Sequence, residues 1–279
     1  MKSKLFTIFF IVSMVSIMGY ASWQIISTLQ ERYISKQEYE SVRESYVSAI
    51  KPKEERTSNT DTQDTDQEEA PSDDGFPNMT IDLAGLYKKN NDFVAWIYYE
   101  DGGVNYPIVQ EKKSELNKYL DTTFEGTKNP SGCTFISYDS DPVFRFMNTF
   151  VYGHNMANGS MFGTLKKIYQ DPSKYLNPYF YIWTNDNRIL KYRIFAMYVV
   201  QNTDKMFSIP LTNESYSQYV NDAMNLGTFN QYVPFTKHER NALANYQPIV
   251  SLSTCYGPAG TSKRLLFQGV LIEQKEVQN

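Results

Sequence analysis

Histidine and cysteine are scarce in this 279-residue chain, with two of each. Two cysteines do not build a disulfide framework. Cys133 and Cys255 are expected to stay free, because a folded region of roughly 200 residues buries an adequate core without staples. No C-x-x-C or H-x-x-x-H spacing occurs, so no zinc site is indicated and no metal or other cofactor is expected. A dominant charge is lacking too. Lysine and arginine number 27 against 31 acids, a net charge of −4. Nothing in that balance suggests a nucleic-acid partner.

Charge is absent altogether from Leu5 to Gln30. An apolar run of this length can cross a bilayer core, which needs about 20 residues. Lys2 and Lys4 precede it, so the positive-inside bias leaves the amino end in the cytoplasm and the remainder outside. Gly19-Tyr20-Ala21 offers a small-x-small site for a cleaved signal peptide. The run continues well past that site, which favours an uncleaved anchor. The expected organisation begins with a cytoplasmic tip at 1–4 and a membrane-spanning signal-anchor at 5–29.

Residues 30–50 are helix-permissive. Tyr39, Val42, Tyr46 and Ile50 fall on one helical face, which fits either a juxtamembrane stalk or a helix docked on the downstream domain. Residues 51–75 hold nine acids against three bases, no aromatic residue and almost nothing apolar. Such a stretch cannot bury enough surface to offset its ordering entropy, and a disordered acidic linker is expected.

Residues 76–279 read as the folded domain. Short β-type runs recur with turn signals between them: 93–98, 106–109, 134–137, 149–152, 179–183, 190–195, 249–252 and 265–271. This pattern argues a barrel or a sandwich. Glu214 to Leu226 reads as an amphipathic helix closed by Gly227.

The candidate chemistry lies in three places. Cys255 ends the strand-like run Ser251-Leu252-Ser253-Thr254-Cys255. Arg264 follows nine residues later. His154 sits far upstream in Tyr152-Gly153-His154-Asn155-Met156. A thiol, an imidazole and a permanently charged guanidinium together make a nucleophile, its general acid/base and an oxyanion or substrate clamp. Taken singly, each has a bland reading: a turn histidine, a small buried cysteine, a surface arginine. Cys133 reads as a buried strand residue, His238 as a solvated surface side chain, and Met156 and Met161 as packing residues.

The histidine segment continues through Asn158-Gly159-Ser160-Met161-Phe162-Gly163 and Leu165-Lys166-Lys167. With Val104-Asn105-Tyr106-Pro107-Ile108-Val109-Gln110, the cysteine run and Arg264, it resembles the class B sortases, thiol transpeptidases of Gram-positive cell surfaces. The resemblance covers most of 85–272. It implies a mainly β fold with helices: a closed eight-stranded barrel, N-terminal helices, and a helix before the cysteine strand, for which 214–227 is the candidate. It implies that Cys255 attacks a threonine carbonyl in a C-terminal sorting signal to form a thioacyl intermediate. An amine on a peptidoglycan precursor, or a pilin lysine, then resolves it. The implied partners are signal-bearing surface proteins or pilins, the amine acceptor and the cell membrane. Tyr152, Ser253 and Thr254 are expected to line the substrate groove. One departure stands out: class B members often carry an acid two residues after the cysteine, and this chain has Gly257.

Two rivals belong to other classes. Papain-like and NlpC-type peptidases place the cysteine before the histidine, the reverse of the order here. A membrane-anchored binding module with a degenerate site is distinguished by an unreactive Cys255.

Overall fold

The eight apolar runs of 76–279 become the strands of a single barrel. The computed structural model describes residues 2–49, 75–258 and 260–277. The expected linker at 51–75 lies almost wholly outside them.

In chain order the elements are α1 (Lys2–Tyr46), β1 (Val47–Ala49), β2 (Met79–Ile81), α2 (Leu83–Lys89), β3 (Phe93–Tyr99), β4 (Val104–Gln110), β5 (Thr134–Ile136), β6 (Asn148–Tyr152), α3 (Leu165–Gln170), β7 (Tyr179–Thr184), β8 (Arg188–Gln201), α4 (Asn213–Gly227), α5 (Lys237–Ala244), β9 (Ile249–Cys255) and β10 (Lys263–Glu276). Short 3-10 turns occupy Lys118–Leu120, Pro172–Lys174 and Lys205–Phe207. The closed barrel runs β10-β8-β7-β3-β4-β5-β6-β9 and back to β10. Most neighbours are antiparallel, but β4–β5 and β6–β9 are parallel. Closure leaves no edge strand exposed.

Strand alternation sorts the side chains. Trp96, Trp183, Leu252, Leu265 and Phe267 are fully buried in the principal core. On the other face of β6, β8, β9 and β10 a second apolar layer holds Phe150, Tyr198, Ile249 and Leu266. Helix α4 covers it with Tyr216, Tyr219, Val220 and Ala223, spaced three and four apart as an apolar helical stripe requires. Thr212 and Ser215 cap its start reciprocally.

Helix α5 was not anticipated. Its run Lys237-His238-Glu239-Arg240 is polar and short, and its anchor is ionic rather than apolar. Glu239, itself buried, lies 3.2 Å from the buried Arg193 of β8 and accepts a 2.7 Å hydrogen bond from Tyr179. His238 on the same helix is exposed, with Nε2 2.8 Å from the Ile272 carbonyl.

The docking question for 30–50 is resolved by the end of α1. Tyr39 and Val42 are buried in the barrel's own core. The Tyr39 hydroxyl donates to the Gly132 carbonyl at 2.6 Å, and its ring meets Tyr106 edge-on. The Asn129 side-chain amide donates to the Glu31 carbonyl at 2.8 Å. Strand β1 then pairs with β2 across the linker. Residues 31–49 are therefore part of the folded unit. The first half of α1 differs: Phe9, Val15, Ile17, Trp23, Ile25 and Leu29 are all exposed. This segment is long and apolar enough to be a candidate membrane span.

Candidate active site

Cys255 is the last residue of β9, and its register partner on β10 is Arg264. Directly opposed residues of an antiparallel pair project to the same face, so thiol and guanidinium share one side of the sheet. The third group arrives through the parallel pair. Tyr152 on β6 aligns with Ser253 on β9, and the chain holds this alignment one residue further, with Gly153 N–H donating to the Ser253 carbonyl at 3.1 Å. His154 thus emerges beside the end of the cysteine strand. Asn155 adds a cross-link, its side-chain amide donating to the Cys255 carbonyl at 2.9 Å.

All three line one cleft of about 390 Å³. Its walls include Tyr152, Ser253 and Thr254 together with Glu111, Leu120, Phe135 and Phe207. Cys255, His154 and Arg264 are each half-buried, reachable by a substrate while partly shielded from water.

The comparisons with known proteins agree with this geometry. A family model described as the sortase domain matches residues 97–272. The chain belongs to the sortase family, and within it to class B. It is 28% identical over 196 residues to sortase B of Listeria monocytogenes, covering 68% of this chain and 74% of that protein. The fold matches crystalline sortase B of Bacillus anthracis, with a TM-score of 0.63 over 88% of this chain and 99% of that one, at 20% identity. A class B sortase of Streptococcus pyogenes, described as involved in pilus biogenesis, aligns with a TM-score of 0.56 at 26% identity over 68% of this chain and 97% of that one. Membership implies a cysteine transpeptidase.

Within this sortase the two thiols occupy contrasting environments. Cys133 is fully buried, and burial pushes its thiol up to about 12. It stays protonated at physiological pH and unreactive. Cys255 is free and half-buried.

Among the described residues the imidazole of His154 has no acidic partner. Its Nε2 lies 2.7 Å from the carbonyl oxygen of Leu120. With Nε2 carrying the proton donated to that carbonyl, Nδ1 is the nitrogen left to exchange protons. The absence of an acid after the cysteine has a backbone cause. Gly257 has φ +122°, a conformation glycine adopts readily and side-chain-bearing residues avoid. Leu120 in turn is held by its neighbour: the buried Tyr119 donates to Asp92 at 2.7 Å, and its carbonyl accepts from Cys133 N–H at 2.9 Å.

Arg264 is braced, its Nη1 donating to the carbonyls of Thr261 at 2.7 Å and Lys263 at 3.1 Å. Tyr152 is stacked between Phe135 and Phe150, with centroids 5.3 and 6.2 Å away. Burial pushes its phenol up to about 12, with the nearby acids Asp139 and Glu111 adding to the shift. It remains a neutral hydroxyl. Ser253 sits on the same face as Cys255, two residues before it. Its hydroxyl is buried and, among the described residues, accepts or donates no hydrogen bond. Thr254 alternates to the opposite face, and its hydroxyl likewise has no partner among the described residues.

Sequence reasoning missed the wall residues Glu111, Leu120, Phe135 and Phe207, and Asn155, which ties the histidine segment to Cys255. Asn155 adjoins the histidine and was within reach. Leu120 and Glu111 lie in or beside the irregular stretch 111–133, which carries no periodicity to read.

Proposed function

We propose that Cys255 is the nucleophile, His154 the general acid/base and Arg264 the oxyanion and substrate clamp of a transpeptidase acting on the C-terminal sorting signals of surface proteins. The observation that carries this reading is the convergence of Cys255, Arg264 and His154 on one cleft from three adjoining strands. The thiolate of Cys255 attacks the scissile carbonyl, and the oxygen gains negative charge. Arg264 offers a planar, permanently charged fork to that oxygen. The C–N bond breaks as His154 gives a proton to the departing amine, leaving a thioester. An incoming amine attacks the thioester, loses its proton to His154, and releases the thiolate. Tyr152 and the unpartnered hydroxyl of Ser253 contact the signal, with Thr254 beside them.

The acceptor we favour is the amine of a cell-wall peptidoglycan precursor. The likeness to the pilus-associated protein of S. pyogenes makes a pilin lysine the second reading. The exposed apolar half of α1 and the lysines ahead of it support a single-pass anchor with a cytoplasmic amino end and an external catalytic domain.

The test is mass spectrometry of the full-length chain in detergent after exposure to a peptide library containing threonine signals. A covalent acyl adduct on Cys255 is expected, released by an amine. An intact protein with no adduct from any peptide would instead indicate a degenerate binding module.

A further inference from the structure

The run Gln110-Glu111-Lys112-Lys113 leads out of β4, and Lys118 follows soon after. Elementary electrostatics predicts that Glu111 pairs with one of these lysines. It does not. Lys112 reaches Asp92 at 2.6 Å. Lys118 divides between Glu115 at 2.9 Å and Asp92 at 3.4 Å. Lys113 lies over the ring of Tyr138. Glu111 is only 8% exposed, yet among the described residues it accepts a single hydrogen bond, 2.7 Å from Asn117 N–H, and meets no cation.

A carboxylate in this position is costly unless a positive group joins it. Burial pushes the Glu111 carboxyl above the usual carboxylate range, and the Asn117 amide offsets only part of that. The residue also lines the cleft of Cys255 and Arg264. The cleft therefore has a fixed polarity, with an acid on one wall and a guanidinium on another.

We infer that Glu111 is a specificity-determining residue that binds a side-chain ammonium of the sorting signal. This deepens the transpeptidase reading and rests on it. The position argues for the signal rather than the amine acceptor. Strand β4 is three places from β9 in the barrel order, about 14 Å across the sheet at ordinary strand spacing. An acceptor amine must reach the thioester carbon on Cys255 itself. An extended peptide acylated there advances about 3.3 Å per residue, so a lysine a few residues from the reacting carbonyl reaches Glu111.

The experiment uses the full-length chain in detergent and peptides with a fixed threonine. Each preceding position carries in turn lysine, Nε-acetyl-lysine or glutamine. The readout is the rate of acyl adduct formation on Cys255 before any amine is added. At one position lysine is expected to outpace acetyl-lysine by about tenfold or more, the scale of one charge-assisted hydrogen bond. In Glu111→Gln, which retains an oxygen for Asn117, the ratio of the lysine to the acetyl-lysine rate is expected to fall below about twofold. Adducts without a lysine preference overturn this inference alone, as does a preference that survives Glu111→Gln. A charge dependence seen only when an added amine resolves the thioester overturns it too. Absence of every adduct overturns the transpeptidase reading and this inference with it.

Discussion

His154 Nε2 stands 2.7 Å from the carbonyl oxygen of Leu120. A backbone oxygen thus does for the imidazole what a carboxylate does in many histidine-dependent sites: it fixes the ring and its tautomer. A carbonyl cannot be mutated, but its support can. Tyr119 is tied to Asp92 by its hydroxyl. Tyr119→Phe is expected to lower the acylation rate several-fold with little change in peptide KM, since the binding wall is untouched. Steady-state kinetics with an adduct-forming peptide checks this. An unchanged rate would remove Leu120 from the positioning of His154.

Cys255→Ala is expected to abolish both cleavage and transfer, because no other side chain in the cleft forms the thioacyl bond. Cys133→Ser is expected to keep the activity, because that thiol is buried and held protonated. A small loss of thermal stability accompanies the serine, whose hydroxyl is placed in an apolar site. Intact-mass labelling of both variants with a thiol reagent checks which cysteine reacts.

Arg264 is braced by two carbonyls and faces Cys255 across the β9–β10 ladder. A lysine offers one point charge on a flexible stem and cannot reproduce that fork. Losing one preorganised oxyanion donor costs about 10²–10³ in rate. Arg264→Lys is expected to fall by that order in kcat, and Arg264→Ala at least as far. A lysine variant with more than about half the wild-type rate would exclude the oxyanion role.

Removal of α1 tests how the domain is bounded. Tyr39 and Val42 are buried in the barrel core, and β1 pairs with β2. Each fully buried side chain of this kind contributes about 1.5–3 kcal/mol. A chain beginning at Phe76 is therefore expected to melt roughly 10 °C below one beginning at Glu31, at about 2–4 °C per kcal/mol for a domain of this size. Differential scanning calorimetry of the two checks it. Equal midpoints would show that the docked helix adds nothing.

Asp92 predicts an acid-side effect. Burial pushes its carboxyl up, but hydrogen bonds from Lys112 and Tyr119 and the charges of Lys112 and Lys118 outweigh that, leaving it below the usual value. A carboxyl depressed in the folded state stabilises the fold above its unfolded value of about 3.9 and loses that contribution as pH falls through the folded one. Asp92→Asn is expected to lower the urea midpoint at pH 7, and the gap to wild type is expected to shrink below about pH 4. A gap independent of pH would show that Asp92 acts only by packing.

The strands were legible because each is a short apolar run between turn residues, and barrel walls keep that pattern. Helix α4 was legible from its stripe, but it runs through Gly227 and its cap is Thr228, one residue beyond the expected one. The features missed share a cause. Helix α5 is held by the Arg193–Glu239 pair, a contact between residues far apart in the chain that leaves no periodic mark. The 111–133 stretch brings Glu111 and Leu120 to the cleft by loop geometry alone. The docking of 31–49 was visible as a helical face at Tyr39 and Val42, but a stripe does not name its partner. Cys255, His154 and Arg264 stood out because histidine and cysteine are rare and their spacing matches a known family.

The barrel closes through β10, the last strand of the chain, which pairs with both β8 and β9. The β9–β10 pairing is local, but the β8–β10 pairing, Arg264 with Val200 among it, joins residues far apart in the chain and such contacts form late and slowly. Until the C-terminal strand arrives, Cys255 has no Arg264 opposite it. A nascent chain not yet made through β10 therefore carries a thiol without its clamp. The order of synthesis thus delays assembly of the proposed site until β10 has been made and has paired with β8 and β9.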